Sequence, residues 1–286
     1  MLRPTNSAAV FEGAAGSVGG MPHAELLDLA RDIAVRAGAL AHRRRVEGVE
    51  IADHKSSPVD VVTLADRETE ELIRSLIAEA RPHDGFLGEE GGAESGSSGL
   101  TWVVDPIDGT VNYLYGIPHW AVSIAVVEGD PDPLTWRPLA GCVTNPVTGE
   151  VYTATDAGGA FSGNQQLRVA EPESLAQALI GTGFGYDAGV RGEQGLVVAG
   201  LLPLVRDIRR FGTASLDLCA VATGRLNGYF ESGLKPWDHA AAALVAREAG
   251  AVVVGREGTP ANQDFVLAAP VELASALERA LADIAV

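Results

Sequence analysis

Apolar residues recur every three or four positions near the start of the chain. Leu26, Leu29, Ala30, Ile33, Ala37 and Leu40 fall on one face, and the spacing predicts a long amphipathic helix over 22–45. The period returns at Leu72, Ile73, Leu76 and Ile77, which predicts a second helix over 66–80 with an acidic first turn, as a helix N-terminus prefers. Short apolar runs then replace the long period. Residues 46–51, 101–104, 120–127 and 139–143 read as strands, and 151–154 with 159–161 as a hairpin. Residues 55–58 read as a turn and the Gly/Ser stretch 91–99 as an exposed loop. Pro106 has no N–H to give to a ladder, so the strand entered at 101 is expected to stop at Asp105.

From residue 175 onward strands and helices alternate. Strands are expected at 178–181, 207–210, 252–254 and 265–267. Helices are expected at 193–205, 214–223 (stopped by Gly224), 237–249 (ended by Gly250) and 271–284. Alternation of this kind suggests a more parallel sheet. The fold class is therefore mixed α and β, of the α+β type. Residues 21–160 form an N-terminal α+β part with a mostly antiparallel sheet, and 161–286 form a C-terminal α/β part with a more parallel, mixed sheet. No internal repeat is evident.

Composition narrows the function classes. The 286 residues carry a formal charge of −17, so binding to nucleic acid through a basic face is not expected. The one basic run, Arg43-Arg44-Arg45, ends a predicted helix, where cations suit the dipole. No apolar run is long enough to cross a bilayer. Residues 1–20 lack the charged start and apolar core of a secretory leader and read as a flexible tail, so a cytoplasmic location is expected. Cys142 and Cys219 form no metal-binding spacing and are expected to be buried free thiols.

The candidate chemistry lies in WVVDPIDGTVNY, residues 102–113. A turn at Pro106–Gly109 brings together Asp105, the Ile107 carbonyl and Asp108, with the amides of Gly109 and Thr110 close behind. Carboxylates and carbonyls are hard oxygen donors suited to Mg²⁺, and free amides at a turn suit phosphate oxygens. A bare DxxDG by itself reads better as a helix start with an Asp cap. The rest of the chain shifts the balance, because Asp66, Glu89 and Asp238 also stand at predicted element ends.

GEE at 88–90, DPIDGT within 102–113 and PWDHAAAALVAREAG at 236–250, in that order, resemble the inositol monophosphatase family; SPVDVVTLAD and FGTASLDL add to the match. This is a Mg²⁺-dependent, lithium-sensitive branch of the sugar phosphatases. The resemblance covers all but the first 20 or so residues. It implies a five-layered αβαβα sandwich, a homodimer, and two to three Mg²⁺ per site. By resemblance, Glu89, Asp105 and the Ile107 carbonyl hold the first ion. Asp105, Asp108 and Asp238 hold the second, and Glu89 helps with a weaker third. A bridging carboxylate lets two cations sit about 3.5–4 Å apart and clamp an in-line displacement. Asp66 and Thr110 orient and deprotonate the attacking water. Gly109 and Thr110 hold the phosphate, Gly212, Thr213 and Ala214 lie near the sugar hydroxyls, and Glu231 accepts hydrogen bonds from them. Glu89, Ile107, Asp108 and Asp238 are counted with this substrate-binding set.

Other features are weaker. Gly181–Gly185 has GxGxG spacing, unlike a dinucleotide fingerprint, and is expected to be a substrate-side loop. Glu90 is expected to turn away from Glu89, and His239 away from the metal. Trp120 and Trp237 are expected as core anchors. Lys55 either approaches the metals or is simply solvated. The expected substrate is an inositol monophosphate. Fructose 1,6-bisphosphate, histidinol phosphate and 3′-phosphoadenosine 5′-phosphate remain alternatives, as does a regulatory protein that binds transcription machinery.

Overall fold

A computed structural model describes residues 23–54 and 61–284. The expected tail at 1–20, the turn at 55–58 and Lys55 lie outside the described residues. In chain order the elements are α1 (His23–Glu47), β1 (Ile51–His54), β2 (Val61–Thr63), α2 (Leu64–Ala80), β3 (Gly85–Gly88), β4 (Gly92–Glu94), β5 (Leu100–Asp108), α3 (Thr110–Tyr115), β6 (Ala121–Glu128), β7 (Arg137–Asn145), β8 (Glu150–Thr155), β9 (Gly159–Ser162), β10 (Gln165–Gln166), β11 (Leu179–Thr182), α4 (Ala188–Leu201), β12 (Asp207–Arg209), α5 (Ala214–Ala222), β13 (Gly228–Glu231), α6 (Pro236–Glu248), β14 (Val252–Val254), β15 (Val266–Ala269) and α7 (Val271–Ile284).

Eight strands form one sheet in the order β10-β9-β8-β7-β6-β5-β3-β4, antiparallel except where β3 runs parallel to β5. Five strands form a second sheet, β12-β11-β13-β15-β14, parallel from β12 to β13 and antiparallel beyond. Successive side chains of a strand point to opposite faces. Trp102 and Val104 of β5 pack on α1 and α2, while Val103 between them packs on α5 and α6. In the second sheet Tyr229 faces α5 and α6, while Phe230 faces α4 and α7. The layers are thus α1/α2, large sheet, α5/α6, small sheet and α4/α7, an αβαβα sandwich in the α+β class.

The middle layer explains the run of alanines in α6. A helix covered by a sheet on each side has no solvent face, and Ala240 to Ala246 are all buried. Small side chains let the backbones approach. A Cβ at Gly141 of β7 would stand 2.9 Å from the Ala241 carbonyl oxygen. Cys142 and Cys219 are buried free thiols, and burial pushes Cys142 up to about 12. Among the described residues no helix is long and apolar enough to cross a membrane.

Four expectations are corrected. The strand through Asp105 does not stop there, because β5 continues to Asp108. Asp105 pairs with Ser123 and Asp108 with Ala121, so Pro106 and Ile107 oppose Val122 alone. This is a bulge, where a strand paired on both sides can accept a residue without an N–H. The expected strand at 46–51 is mostly helix and turn. Arg44 pairs with Glu47 within the last turn of α1, Gly48 follows at φ +131°, and β1 begins only at Ile51. The loop 91–99 contributes an edge strand, β4, whose backbone pairs with β3 without needing apolar side chains. The helix expected at 193–205 starts earlier, at Ala188, because the Asp187 side chain caps the Val190 N–H at 2.9 Å; Pro203 follows its end.

Candidate active site

Thr63 caps α2, and its hydroxyl and N–H both reach the Asp66 carboxylate, the N–H at 2.9 Å. This capping box holds Asp66 inside the protein, 1% exposed. The Thr110 hydroxyl donates toward Asp66 Oδ1 at 3.3 Å and also lies 3.1 Å from the Ile107 carbonyl. Burial lifts Asp66 to about 7, with the neighbouring Glu89 adding to the rise against the hydrogen bonds from Thr63.

The β5 bulge sets the neighbouring groups. The Ile107 N–H donates to Asp105 Oδ1 at 3.0 Å, and the Ser215 N–H at the start of α5 donates to Asp108 Oδ2 at 2.7 Å. Gly109 follows at φ +91°, where L side chains are strained, and a Cβ there would also strike the Thr213 hydroxyl. The strap 211–213 is tied to the opening of α3. Asn112 donates to the carbonyls of His119 and Phe211 at 2.7 and 2.8 Å, and the Thr213 hydroxyl donates to His119 at 2.8 Å. At the start of α6, Asp238 accepts the Lys235 N–H at 2.6 Å.

One cavity of about 590 Å³ is lined by Glu89, Asp105, Ile107, Asp108, Gly109, Thr110, Gly212, Thr213, Ala214, Glu231 and Asp238. Eleven of the twelve residues expected in the site thus face one space. Asp66, the twelfth, reaches it through Thr110. The metal assignment fits the chemistry of this donor set. Burial raises Asp105 well above the carboxylate range, and the charges of Glu89, Asp108 and Asp238 raise it further. Burial likewise raises Asp108 to about 7 and lifts Asp238, each with help from neighbouring acids. Carboxylates that raise one another in a low-dielectric cluster favour a bound cation.

The family model for the inositol monophosphatase family matches residues 23–285. The chain belongs to the inositol monophosphatase family. It is similar to the inositol-1-monophosphatase of Mycobacterium bovis, at 45% identity over 249 residues, 81% of this chain and 84% of that one. Similarity extends to a protein of Vibrio cholerae named Nus factor SuhB, at 37% identity over 233 residues, 79% of this chain and 85% of that one. Among solved structures, extragenic suppressor protein suhB from Bartonella henselae matches with a TM-score of 0.82 and 36% identity, over 90% of this chain and 98% of that one. Members of the inositol monophosphatase family are phosphatases and generally metal-dependent.

Within this family frame the remaining residues take definite places. Gly183, Phe184 and Gly185 line the cavity, so the GxGxG segment is a wall of the site. Glu90 is half-buried and its N–H is taken by Glu70 at 2.8 Å. His239 is 2% exposed beside Trp136 and does not line the cavity; burial drives it down to about 3. Trp120 is a core anchor against Tyr113. Trp237 packs on the core as expected and also lines the cavity, because it is the second residue of α6 and sits at the helix mouth.

Three features of the site were missed in the sequence. Tyr229 donates a short hydrogen bond to Glu231. Burial holds Glu231 at about 7, against the effects of Tyr229 and Arg210. The i, i+2 spacing on a strand was an available signal, since it puts both on one face. Arg210 lines the cavity near Phe184, 5.9 Å from its ring centroid, and only the fold carries it there. Asp217, 1% exposed, is raised to about 6 by burial against the influence of His119, whose Nε2 lies 3.9 Å away.

Proposed function

We propose that the chain is a Mg²⁺-dependent phosphatase that hydrolyses inositol monophosphates to inositol and phosphate. The observation that carries this reading is Thr110. Its hydroxyl stands between the Asp66 carboxylate and the Ile107 carbonyl on the wall of an acidic cavity. That is a path for a proton leaving a water beside a phosphate.

Glu89, Asp105 and the Ile107 carbonyl would hold one ion; Asp105, Asp108 and Asp238 would hold the second, and Glu89 would also serve a weaker third. When bound, the ions supply the positive charge that activates water and stabilises phosphate and the leaving alkoxide. Thr110 takes the water's proton as it passes its own to Asp66. A carboxyl poised near 7 is a better base at neutral pH than a solvated one. The water oxygen bonds to phosphorus as the ester bond opposite it breaks. The N–H groups of Gly109 and Thr110 orient the phosphate. Gly212, Thr213, Ala214 and Glu231 bind the hydroxyls of the polyol, and Tyr229 fixes the Glu231 carboxyl. A cytoplasmic homodimer belongs to the same reading, and sedimentation checks the dimer.

The test is phosphate release from inositol 1-phosphate, fructose 1,6-bisphosphate, histidinol phosphate and 3′-phosphoadenosine 5′-phosphate, with and without Mg²⁺. Preference for inositol 1-phosphate that vanishes with chelator supports the proposal. Preference for another substrate keeps the chemistry and changes the alcohol. The relative named Nus factor motivates a second reading, association with transcription machinery. No Mg²⁺-dependent release from any substrate, together with stoichiometric capture of RNA polymerase, would favour it.

A further inference from the structure

Glu70 has no part in the chemistry described so far, yet it is a carboxylate only 3% exposed. It lies one turn after Asp66 on α2, at i, i+4 spacing, so both acids stand on the same helix face. Its two oxygens are spent on the chain directly after Glu89. Oε2 accepts the Glu90 N–H at 2.8 Å, and Oε1 accepts the Gly91 N–H at 2.7 Å. Arg74, one further turn along, donates to Oε1 at 3.2 Å and to Glu94 of β4 at 2.5 Å, with its guanidinium carbon 4.0 Å from the centroid of the Phe86 ring. The β3–β4 hairpin is therefore bolted to α2 from above and below the turn that carries Glu89. The fit is close. A Cβ at Gly88 would come within 2.5 Å of Glu70 Oε2, and one at Gly91 would strike the Arg74 guanidinium.

We propose that Glu70 is a positioning residue for metal binding: it clamps the Glu90 and Gly91 amides so that Glu89 is presented to the ion in register with Asp66. The inference rests on the proposed role of Glu89 as a metal ligand. Burying a carboxylate is costly unless its oxygens are satisfied, and here the satisfying donors are two successive amides of the metal-facing turn. One helix thus sets the proton acceptor through its first turn and the ion-binding turn through its second.

Glu70→Gln tests this in the full-length protein. The amide keeps the shape but turns an NH₂ toward one of the two N–H donors. Mg²⁺ affinity is read by calorimetry and by the shift in melting temperature, alongside the Mg²⁺ dependence of phosphate release. Glu68→Gln is the control, since Glu68 pairs with Arg44 on the surface. About tenfold weaker Mg²⁺ binding is expected for Glu70→Gln, the usual scale for losing a residue that orients a ligand, with turnover recovered at saturating Mg²⁺. Mg²⁺ titrations that superimpose on wild type overturn the role, as does lost turnover at saturating Mg²⁺ with unchanged affinity. If Glu70→Gln does not fold, Gly88→Ala displaces the clamp without changing charge. Weakened Mg²⁺ binding is expected there too, and wild-type affinity overturns the role. A wild-type protein that binds no Mg²⁺ sinks the metal reading itself, whereas wild-type binding with an unaltered variant sinks only Glu70.

Discussion

The two walls of the cavity are built differently. The acidic wall consists of element ends from the first half of the chain plus the start of α6: the capping box of α2, the turn after β3 and the bulge of β5. Asp66, Asp105 and Asp238 are each pinned by a backbone N–H within three residues, and Asp108 by the Ser215 N–H of α5. The opposite wall comes from the second sheet and its loops. There Glu231 is held by a tyrosine, Arg210 rests near Phe184, and the strap at Gly212 is tied down by Asn112 of α3. On the proposed reading the first wall carries the phosphate chemistry and the second, assembled from long-range contacts, carries substrate choice. The two walls meet where the Ser215 N–H holds Asp108.

The hardest blow to the acidic wall is Asp105→Asn, which removes the charge both ions are proposed to share. Turnover is expected to fall about a thousandfold with the fold retained, as circular dichroism checks. Near-wild-type turnover at moderate Mg²⁺ would refute the metal assignment. Next is Thr110→Ala, which cuts the contact to Asp66. A loss of kcat of about a hundredfold is expected, the scale of general-base assistance, with little change in KM. Steady-state kinetics separates this from a binding defect.

The substrate wall should respond otherwise. Glu231→Gln is expected to raise KM for inositol 1-phosphate about tenfold, while hydrolysis of p-nitrophenyl phosphate, which has no polyol, changes little. Equal loss on both substrates would place Glu231 in the chemistry and erase the distinction between the walls.

The smallest effect is on stability. Asp66, Asp108 and Glu231 hold their protons up to about 7 in the folded chain, against about 4 when unfolded. Between these values the folded state binds more protons, so metal-free protein should lose stability as pH rises from about 4 to about 7. His239 works against this. It stays neutral in the fold down to about 3 and costs stability as pH falls below about 6.5, but it is one group against several. A melting temperature a few degrees higher at pH 5.5 than at pH 7.5 in chelator is expected, with Mg²⁺ flattening the difference. A melting temperature that climbs steadily with pH in chelator would contradict the raised carboxyls.

How much of this was legible depended on distance along the chain. DPIDGT carries two acids, a proline and a glycine in a stretch short enough for the local backbone to decide their relation, and they do share one end of β5. The proline misled only about the ladder, since a bulge accepts what a regular strand rejects. The Asp187 cap on α4 is equally local, but the apolar run behind it carries the stronger helical signal. Glu70 and Arg210 show the opposite case. Glu70 has a local partner in Arg74, but the amides it clamps lie 20 and 21 residues away, and the ring beside Arg210 is on another loop.

The chain's own chemistry set the periodicity of its helices, the class of the fold, the acids at element ends and the order of motifs that marks the family. These rest on contacts within a few residues, where backbone geometry and side-chain type suffice. The tertiary structure decided that acids from β5, the turn after β3 and the start of α6 face one cavity, that Asp66 of α2 reaches it through Thr110, that α6 is buried from both sides, and that Tyr229, Asn112 and Glu70 support the site. Those facts depend on which sheet packs on which helix, and burial and hydrogen-bond satisfaction across the whole core select that packing.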